Sequence, residues 1–431
     1  MAPRRTPRLY CTAVAAAALV CVCLCVRAPH TQAAVDHASG ATATIAYDAG
    51  TGTGAGTGTG TDTASTRAGT GSQPQPSHTG SDATNSAGSS AAARRYMHLH
   101  KDWWHWGMLR DTDRNERYEA AVVAAIRAQA AALGHAPTVL DVGAGAGLLS
   151  LVAARGGAGK VYAVEGVEHT AAILRDSVRR NGYGDGRVGG AGAITVLEAM
   201  SYDVTLGGSS KADILVHEVF GAGLMCEDAH KSIPDARDRL LKPASAQWRP
   251  TIVPAAATTF AVFVSSEDVR HITTVGTVSG FDLRAMNRAT FATFSARSLL
   301  AFDVVHPLVP MTARVPLYSL DFYTMAAKTV SVPRLAHQVV VTAAGSINAV
   351  VVYWDADMAG DGSNLVSTSP WAVGANHMRR LVWPYRVFYI GRGDGGPLEV
   401  VPGDVLTVHV NTDDPCSFKP YVVELNGEAT F

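Results

Sequence analysis

Thr138-Val139-Leu140-Asp141-Val142-Gly143-Ala144-Gly145-Ala146-Gly147-Leu148 is the stretch on which the fold turns. Its first five residues form a short apolar run of the buried-strand type, and three alternating glycines follow before residues 148–154 resume as a helix. Glycines at such a turn let the backbone approach a ligand, while the next helix presents its amino end. Upstream, residues 116–133 form a long Ala-rich helical stretch, ended by Gly134 and Pro137. Downstream, residues 161–165 read as a second strand, 169–180 as a second helix stopped at Asn181-Gly182, and 194–197 and 214–218 as further strands. Strands alternating with helices imply a parallel, doubly wound sheet, hence an α/β fold. Beyond Pro250 the pattern changes: residues 339–342, 349–354, 387–390 and 405–410 are β-rich, with turns between. That half reads as an antiparallel β domain interrupted by a more helical stretch at 282–300. The folded domains are therefore expected over 95–250 and 251–431.

Ahead of them lie two unlike segments. Arg4, Arg5 and Arg8 precede the uncharged run 9–26, and Thr31-Gln32-Ala33 offers small residues for cleavage. Residues 1–33 read as a signal peptide, a membrane anchor, a transit peptide or a start placed too far upstream; the cysteines clustered there also permit acylation. No other run approaches spanning length, so a membrane bundle is excluded. Residues 34–94 are dominated by Ala, Gly, Ser and Thr and carry too few large apolar side chains to offset ordering entropy, which predicts a disordered linker. A formal net charge of −1 gives no electrostatic reason to expect a nucleic-acid partner. Four of the six cysteines sit in the leader, leaving Cys226 and Cys416, which is no disulfide framework. Two scattered thiols fit a reducing compartment and pull against the secretory look of the leader.

A dinucleotide fingerprint would place its third glycine at position 148, where this chain has Leu148. The spacing Gly143, Gly145, Gly147, with Asp141 two residues ahead, instead resembles the S-adenosylmethionine turn of Rossmann-like methyltransferases. That cofactor carries no phosphate, so the loop needs no basic residue. Glu165 ends the second strand 24 residues after Asp141, where a carboxylate can accept both ribose hydroxyls. Met200 and Ser201 lie where the end of the third strand would meet the adenine.

The last strand of this half runs into His217-Glu218-Val219-Phe220-Gly221-Ala222-Gly223-Leu224-Met225-Cys226-Glu227. Glu218 stands at a strand's C-terminal end, where open α/β sheets place ligands. Glycines between the two acids allow a tight hairpin loop that brings both carboxylates to one spot. Two carboxylates in a low-dielectric site repel, so a cation is their natural occupant, and a guanidinium suits them because it remains charged and binds carboxylates in bidentate fashion. Taken alone, Glu218 and Glu227 are as easily two solvated loop acids.

With this loop the chain resembles the protein arginine N-methyltransferases, whose double-E loop places two glutamates after a strand of a methyltransferase sheet. Met108-Leu109-Arg110-Asp111-Thr112-Asp113-Arg114-Asn115 is similar to the family's M-L-x-D-x-x-R segment, and Leu381-Val382-Trp383-Pro384-Tyr385-Arg386-Val387-Phe388-Tyr389 to its T-H-W-x-x-x-V-F-Y loop. Tyr353-Trp354-Asp355-Ala356-Asp357-Met358 is closest to the monomethylating, type III branch.

The resemblance spans residues 96–431 and implies a Rossmann-like S-adenosylmethionine-dependent domain followed by an antiparallel β-barrel-like domain with a helical arm. It implies Glu218 and Glu227 as catalytic residues and Trp383 as a wall of the arginine pocket. Met108, Arg114, Asp141, Gly143, Gly145, Glu165, Met200 and Ser201 would bind S-adenosyl-L-methionine, with Arg114 gripping its carboxylate; no metal site is expected. It further implies arginine-containing protein substrates such as histones and RNA-binding proteins, a head-to-tail homodimer through an arm placed at 282–300, and a cytoplasmic or nuclear location. A membrane-anchored or secretory route would follow only from the leader.

Two departures stand out. Val382 occupies the position of the T-H-W histidine, so that histidine's pairing with Asp111 is lost; His377, five residues upstream, could replace it only in a rearranged loop. The family's upstream Y-F-x-x-Y helix is not legible, Tyr96 being its one candidate, while Trp103, Trp104 and Trp106 crowd the region as a cofactor cover or a packing stripe. The residues alone thus leave two rivals open: a methyltransferase for a small molecule or RNA, and a methyltransferase-fold scaffold with weak or no activity.

Overall fold

The computed structural model describes residues 103–184, 193–290, 293, 298–326, 335–374, 377–392, 396–411 and 419–429. The leader, the linker, Tyr96 and Cys416 lie outside the described residues. Helix α1 (Trp103–Arg110) leads through Asp111 into α2 (Thr112–Leu133), which begins four residues earlier than the Ala-rich run suggests because the Asp111 carboxylate caps it, accepting from the Arg114 backbone N–H at 3.2 Å. Gly134, in the left-handed region at φ 74°, ends α2.

Then follow β1 (Thr138–Val142), α3 (Leu148–Arg155), β2 (Lys160–Glu165), α4 (Glu168–Arg180), β3 (Ala193–Glu198), β4 (Ile214–His217), α5 (Ala229–Leu240) and β5 (Thr251–Val253). The five strands pair in parallel in the order β3-β2-β1-β4-β5. The order reverses direction at β1, so the crevice between the loops after β1 and β4 is the topological switch point. Strand β5 belongs to this sheet, so the parallel half runs just past Pro250.

The antiparallel half opens with β6 (Ala256–Ser265) and α6 (Glu267–Thr273), and a two-residue hairpin of β7 (Thr277–Val278) and β8 (Phe281–Asp282) follows. Next come β9 (Ser298–Leu300), β10 (Val309–Pro310), β11 (Val315–Asp321), β12 (Leu335–Val340), β13 (Gly345–Ile347), β14 (Ala349–Asp357) and β15 (Leu365–Ser367). Helix α7 (His377–Val382), β16 (Arg386–Tyr389), β17 (Leu398–Val400), β18 (Val405–Asn411), β19 (Lys419–Leu425) and β20 (Glu428–Ala429) complete it. Its main sheet runs β10-β6-β14-β16-β9, with β11 also on β6 and β15 on β14; a second runs β12-β18-β19-β20. Between β8 and β9 the more helical stretch expected at 282–300 is largely helical where it is described, Thr290 and Thr293 being α-helical after a 3-10 segment. Arg284–Ala289 winds as a 3-10 turn, and Asn287 exchanges side-chain bonds with the backbone of Val275 at 2.9 and 3.2 Å. Residues 291–292 and 294–297 lie outside the described residues.

One continuous apolar core runs from the parallel sheet into the β half, joining Phe220 and Leu224 to Phe322, Trp354 and Trp383. Polar ties follow the same seam: Arg237 donates to the carbonyls of Phe322 and Met325 at 3.0 and 2.8 Å, and the Tyr323 hydroxyl accepts from Ile252 N–H at 3.0 Å. Trp354, 1% exposed, donates its indole N–H to the carbonyl of Gly221 at 3.2 Å, anchoring the loop after β4 from the opposite half. Replacing Trp354 by Phe leaves that carbonyl without its donor and underfills the seam. We expect a loss of about 1–3 kcal/mol in urea unfolding; an unchanged midpoint would show that the anchor carries no stability.

Candidate active site

A cleft of about 480 Å³ lies at the switch point, within the range of small-ligand sites. Its floor is the glycine turn. Gly143, Gly145 and Gly147 all adopt positive φ (76°, 54° and 94°), and a Cβ on Gly143 would meet Val219 Cγ1 at 2.6 Å. The turn is therefore closed to larger residues both by backbone conformation and by space. Glu165, at the end of β2, fixes it: one carboxylate oxygen accepts from Gly145 N–H at 2.9 Å and the other from Val167 N–H at 2.8 Å. Each oxygen retains a further lone pair for a ligand hydroxyl.

Of the eleven site residues that the sequence reading expects, Met108, Arg114, Gly143, Gly145, Glu165, Met200, Ser201, Glu218, Glu227 and Trp383 line this one cleft. Asp141 does not. It is 1% exposed behind the turn, where Ser150 Oγ donates to it at 2.6 Å, and burial pushes its carboxyl up to about 7. Asp141 is the second-to-last residue of β1, so the alternation of the strand points it into the protein rather than the crevice.

The loop between the glutamates is a tight hairpin. Gly221 and Leu224 form an isolated antiparallel bridge, Leu224 N–H donates to the Gly221 carbonyl at 2.9 Å, and a Cβ on Gly221 would stand 2.4 Å from that of Cys226. Only glycine lets the chain double back this closely. Two indoles hold the loop from the β half: Trp354 on the Gly221 carbonyl, and Trp383 on the Phe220 carbonyl at 2.8 Å. Their rings pack edge to face at 5.0 Å.

Glu218 is 8% exposed, and burial raises its carboxyl against the opposing pull of Arg114. Arg114 Nη2 donates to Glu218 Oε2 at 2.9 Å, and the guanidinium lies 5.3 Å from the Trp383 ring centroid. Arg114 thus reaches the first acid of the loop directly, a contact its reading as a cofactor ligand did not include. Its Nε is buried with no hydrogen-bond partner, leaving a donor for an incoming carboxylate.

Glu227 is open to the cleft yet flanked by protein and by Glu218, and the two effects push its carboxyl up to about 8. Among the described residues no cation stabilises it. The described lining carries four acids (Glu165, Glu218, Glu227 and Asp228) and a single Lys or Arg, Arg114. Such a cleft favours positively charged occupants and offers little to a phosphate.

The sequence reading named Trp104 as a candidate cofactor cover and missed His105 and Arg379. Trp104 and His105 of α1 roof the turn, with His105 Nε2 3.5 Å from where a Gly145 Cβ would be. Trp106 is 59% exposed, which fits no packing stripe, and the side chain of Trp103 lies outside the described residues. With Val382 in the histidine's place and the His377 side chain outside the described residues, Asp111 is met from α7. Its described partner is Arg379, which binds both of its oxygens at 2.8 and 2.9 Å. An arginine at 379 on a helix facing α1 carries no motif, so only the unexplained Asp111 signalled it.

The parallel sheet, its switch-point glycine turn and the acid-lined cleft define a Rossmann-like methyltransferase fold, joined here to an antiparallel β domain. Within that class the chain is a relative of the protein arginine N-methyltransferases. It is 34% identical to an arginine N(omega)-methyltransferase of Streptomyces achromogenes subsp. streptozoticus over 62% of this chain and 66% of that enzyme. It is 29% identical to protein arginine N-methyltransferase 7 of Danio rerio over 71% of this chain and 44% of that protein. The chain thus spans under half the length of that relative and just under two thirds of the bacterial one. Among solved structures, the Trypanosoma brucei PRMT1 enzyme-prozyme complex with AdoHcy superposes with a TM-score of 0.55 at 23% identity, covering 75% of this chain and 92% of that one. Arabidopsis thaliana protein arginine methyltransferase 10 follows with 0.53 at 21%, covering 74% and 90%. No family model matches the chain.

Asp141 gives the site a pH signature. Its carboxyl titrates near 7 when folded against an ordinary value of 3.8, so it favours the fold below about pH 4 and loses that contribution as pH rises through 7. Asp141→Asn should narrow the difference in urea midpoint between about pH 5 and about pH 8. A difference as wide as that of the parent protein would refute the assignment.

Proposed function

We propose that this protein transfers the methyl group of S-adenosyl-L-methionine to a guanidinium nitrogen of arginine in protein substrates, with Glu218 and Glu227 holding the guanidinium. The observation that carries the reading is the pairing of two glutamates in one cleft: Glu218 is already opposed by Arg114, and Glu227 is left to an incoming cation.

The residues present fit the cofactor. Glu165 has lone pairs free for a ribose diol, Arg114 Nε is an unpartnered buried donor for a carboxylate, and the described lining holds no lysine or second arginine that would suit a phosphate. Met200 and Ser201 would border the adenine, Met108 the methyl-bearing end, and Gly143 and Gly145 the backbone approach. When bound, the cofactor supplies an activated methyl group on its sulfonium. The work of the chain is then positional. Glu218 and Glu227 orient one guanidinium nitrogen and oppose the charge that grows on the group, while Trp383 closes the pocket wall. Glu227 must ionise to do so, and a guanidinium arriving beside it favours that loss.

Glu218→Gln and Glu227→Gln in the full chain should each lower transfer to arginine-glycine peptides by about 100-fold or more, with calorimetric S-adenosylhomocysteine binding retained. Free arginine is the parallel acceptor. No labelled product with either acceptor, despite cofactor binding, would leave the scaffold reading standing. The parent kcat/KM for the acceptor should climb with pH through a midpoint near 8 as Glu227 ionises; a flat profile from about 6 to 9 would contradict that role.

A homodimer through the arm belongs to the same proposal. Phe281 and Met286 are 71% and 69% exposed, with Val278 and Leu283 also exposed, an apolar group at the start of the arm placed at 282–300 and just ahead of it. Sedimentation should give a dimer that Phe281→Ser with Met286→Ser converts to monomer, and a monomeric parent protein would refute the arm assignment.

A further inference from the structure

We infer that Arg379 is a positioning residue for the guanidinium-binding carboxylate of Glu218, acting through Asp111 and Arg114 across the seam between the two halves. The inference rests on the proposed reaction for its meaning, while its geometry is independent of it.

Arg379 lies in α7 and is 2% exposed. Every nitrogen of its guanidinium is used. Nε donates to Asp111 Oδ2 at 2.8 Å, and Nη2 donates to Asp111 Oδ1 at 2.9 Å and to Asp113 Oδ2 at 2.7 Å. Nη1 donates to the Ser367 carbonyl at 3.2 Å. A fork this fully engaged has one orientation, which a lysine could not reproduce.

Asp111 passes that orientation on. The oxygen that Arg379 Nη2 contacts also accepts from Arg114 N–H, so the ion pair sets the first turn of α2. Arg114 stands in that turn and reaches Glu218 Oε2. The return path is short and runs through two hydrogen bonds. Trp383 N–H donates to the Arg379 carbonyl at 2.7 Å, and its indole donates to the Phe220 carbonyl, two residues beyond Glu218. Arg379 therefore sits in a closed ring of contacts: out through Asp111 and Arg114 to Glu218, and back through Phe220 and Trp383.

A ring of this kind cannot relax at one member without moving the next. A neutral residue at 379 would also take the guanidinium away from buried Asp111, and breaking a buried pair on one side costs far more than the pair contributes. Because guanidinium stays protonated throughout the range in which proteins fold, the clamp does not titrate, whereas an imidazole there would. The surrounding charged groups are Asp111 and Asp113, Arg117 behind Asp113, Arg110 at the end of α1, Arg380 next in α7 and Asp303 in the turn packed against it. Asp355 and Arg314 lie beyond Ser367.

The test is a double-mutant cycle in the full chain. Arg379→Gln and Glu218→Gln share no direct contact, so without the ring their effects on the unfolding constant should multiply independently. We expect departure from independence by more than about threefold, and independence within that margin would overturn the inference. If Arg379→Gln does not fold, Arg379→His carries the test. Its S-adenosylhomocysteine affinity and its acceptor kcat/KM should fall as pH rises past the ordinary imidazole value of about 6.5, at a temperature where the variant remains folded. The parent should show no such fall. A histidine variant whose affinity and rate follow the parent profile would overturn the inference. A coupled cycle in a parent protein that transfers no methyl would instead refute the proposed reaction and leave the Arg379–Glu218 linkage standing.

Discussion

An acid withdrawn from water must be given a partner, and much of the seam between the two halves follows from that. Asp111 and Glu218 are both nearly sealed, and each is met by a guanidinium from a different element: Arg379 from α7 and Arg114 from α2. Charges alternate along the line Arg379, Asp111, Arg114, Glu218, so each desolvation penalty is offset locally and no net charge accumulates. What the pairs add is direction. Bidentate and capped geometries admit little rotation, so the apolar seam supplies adhesion and the ionic line supplies alignment.

Glu227 stands outside this compensation. It shares the cleft with Glu218 and Glu165 and has no described cation of its own, so its carboxyl holds its proton to about 8. The site is arranged with one acid satisfied by the protein and a second whose ionisation waits on what enters. That asymmetry is what supports the proposed guanidinium site over a pair of solvated loop acids.

The parallel half was legible because its elements are local. Strand, glycine turn, helix and strand-end acid each occupy a short window with its own periodicity, and β1, β2, β3 and β4 fall within a residue or so of their expected places. The double-E hairpin was legible for the same reason, since Gly221 announces a reversal. Three things were hidden. Helix α5 contains Pro234 and a mixed polar pattern, and its packing against the β half shapes it more than its propensities do. Asp141 looked like a ligand because it borders the turn, but strand alternation turned it inward. Arg379 meets Asp111 across 268 residues, a distance at which no spacing rule operates. Long-range pairs of this sort are visible to sequence only as a gap, here the valine at 382.

The two indoles that hold the acid loop are encoded long after it. Trp354 reaches back 133 residues and Trp383 163 residues to the carbonyls that they bind. On the ribosome, the parallel half with its glycine turn can therefore assemble while the loop carrying Glu218 and Glu227 still has nothing to rest on. The glycine-turn side of the cleft precedes the two-acid side in time, and the proposed grip on a guanidinium can form only as the last quarter of the chain emerges.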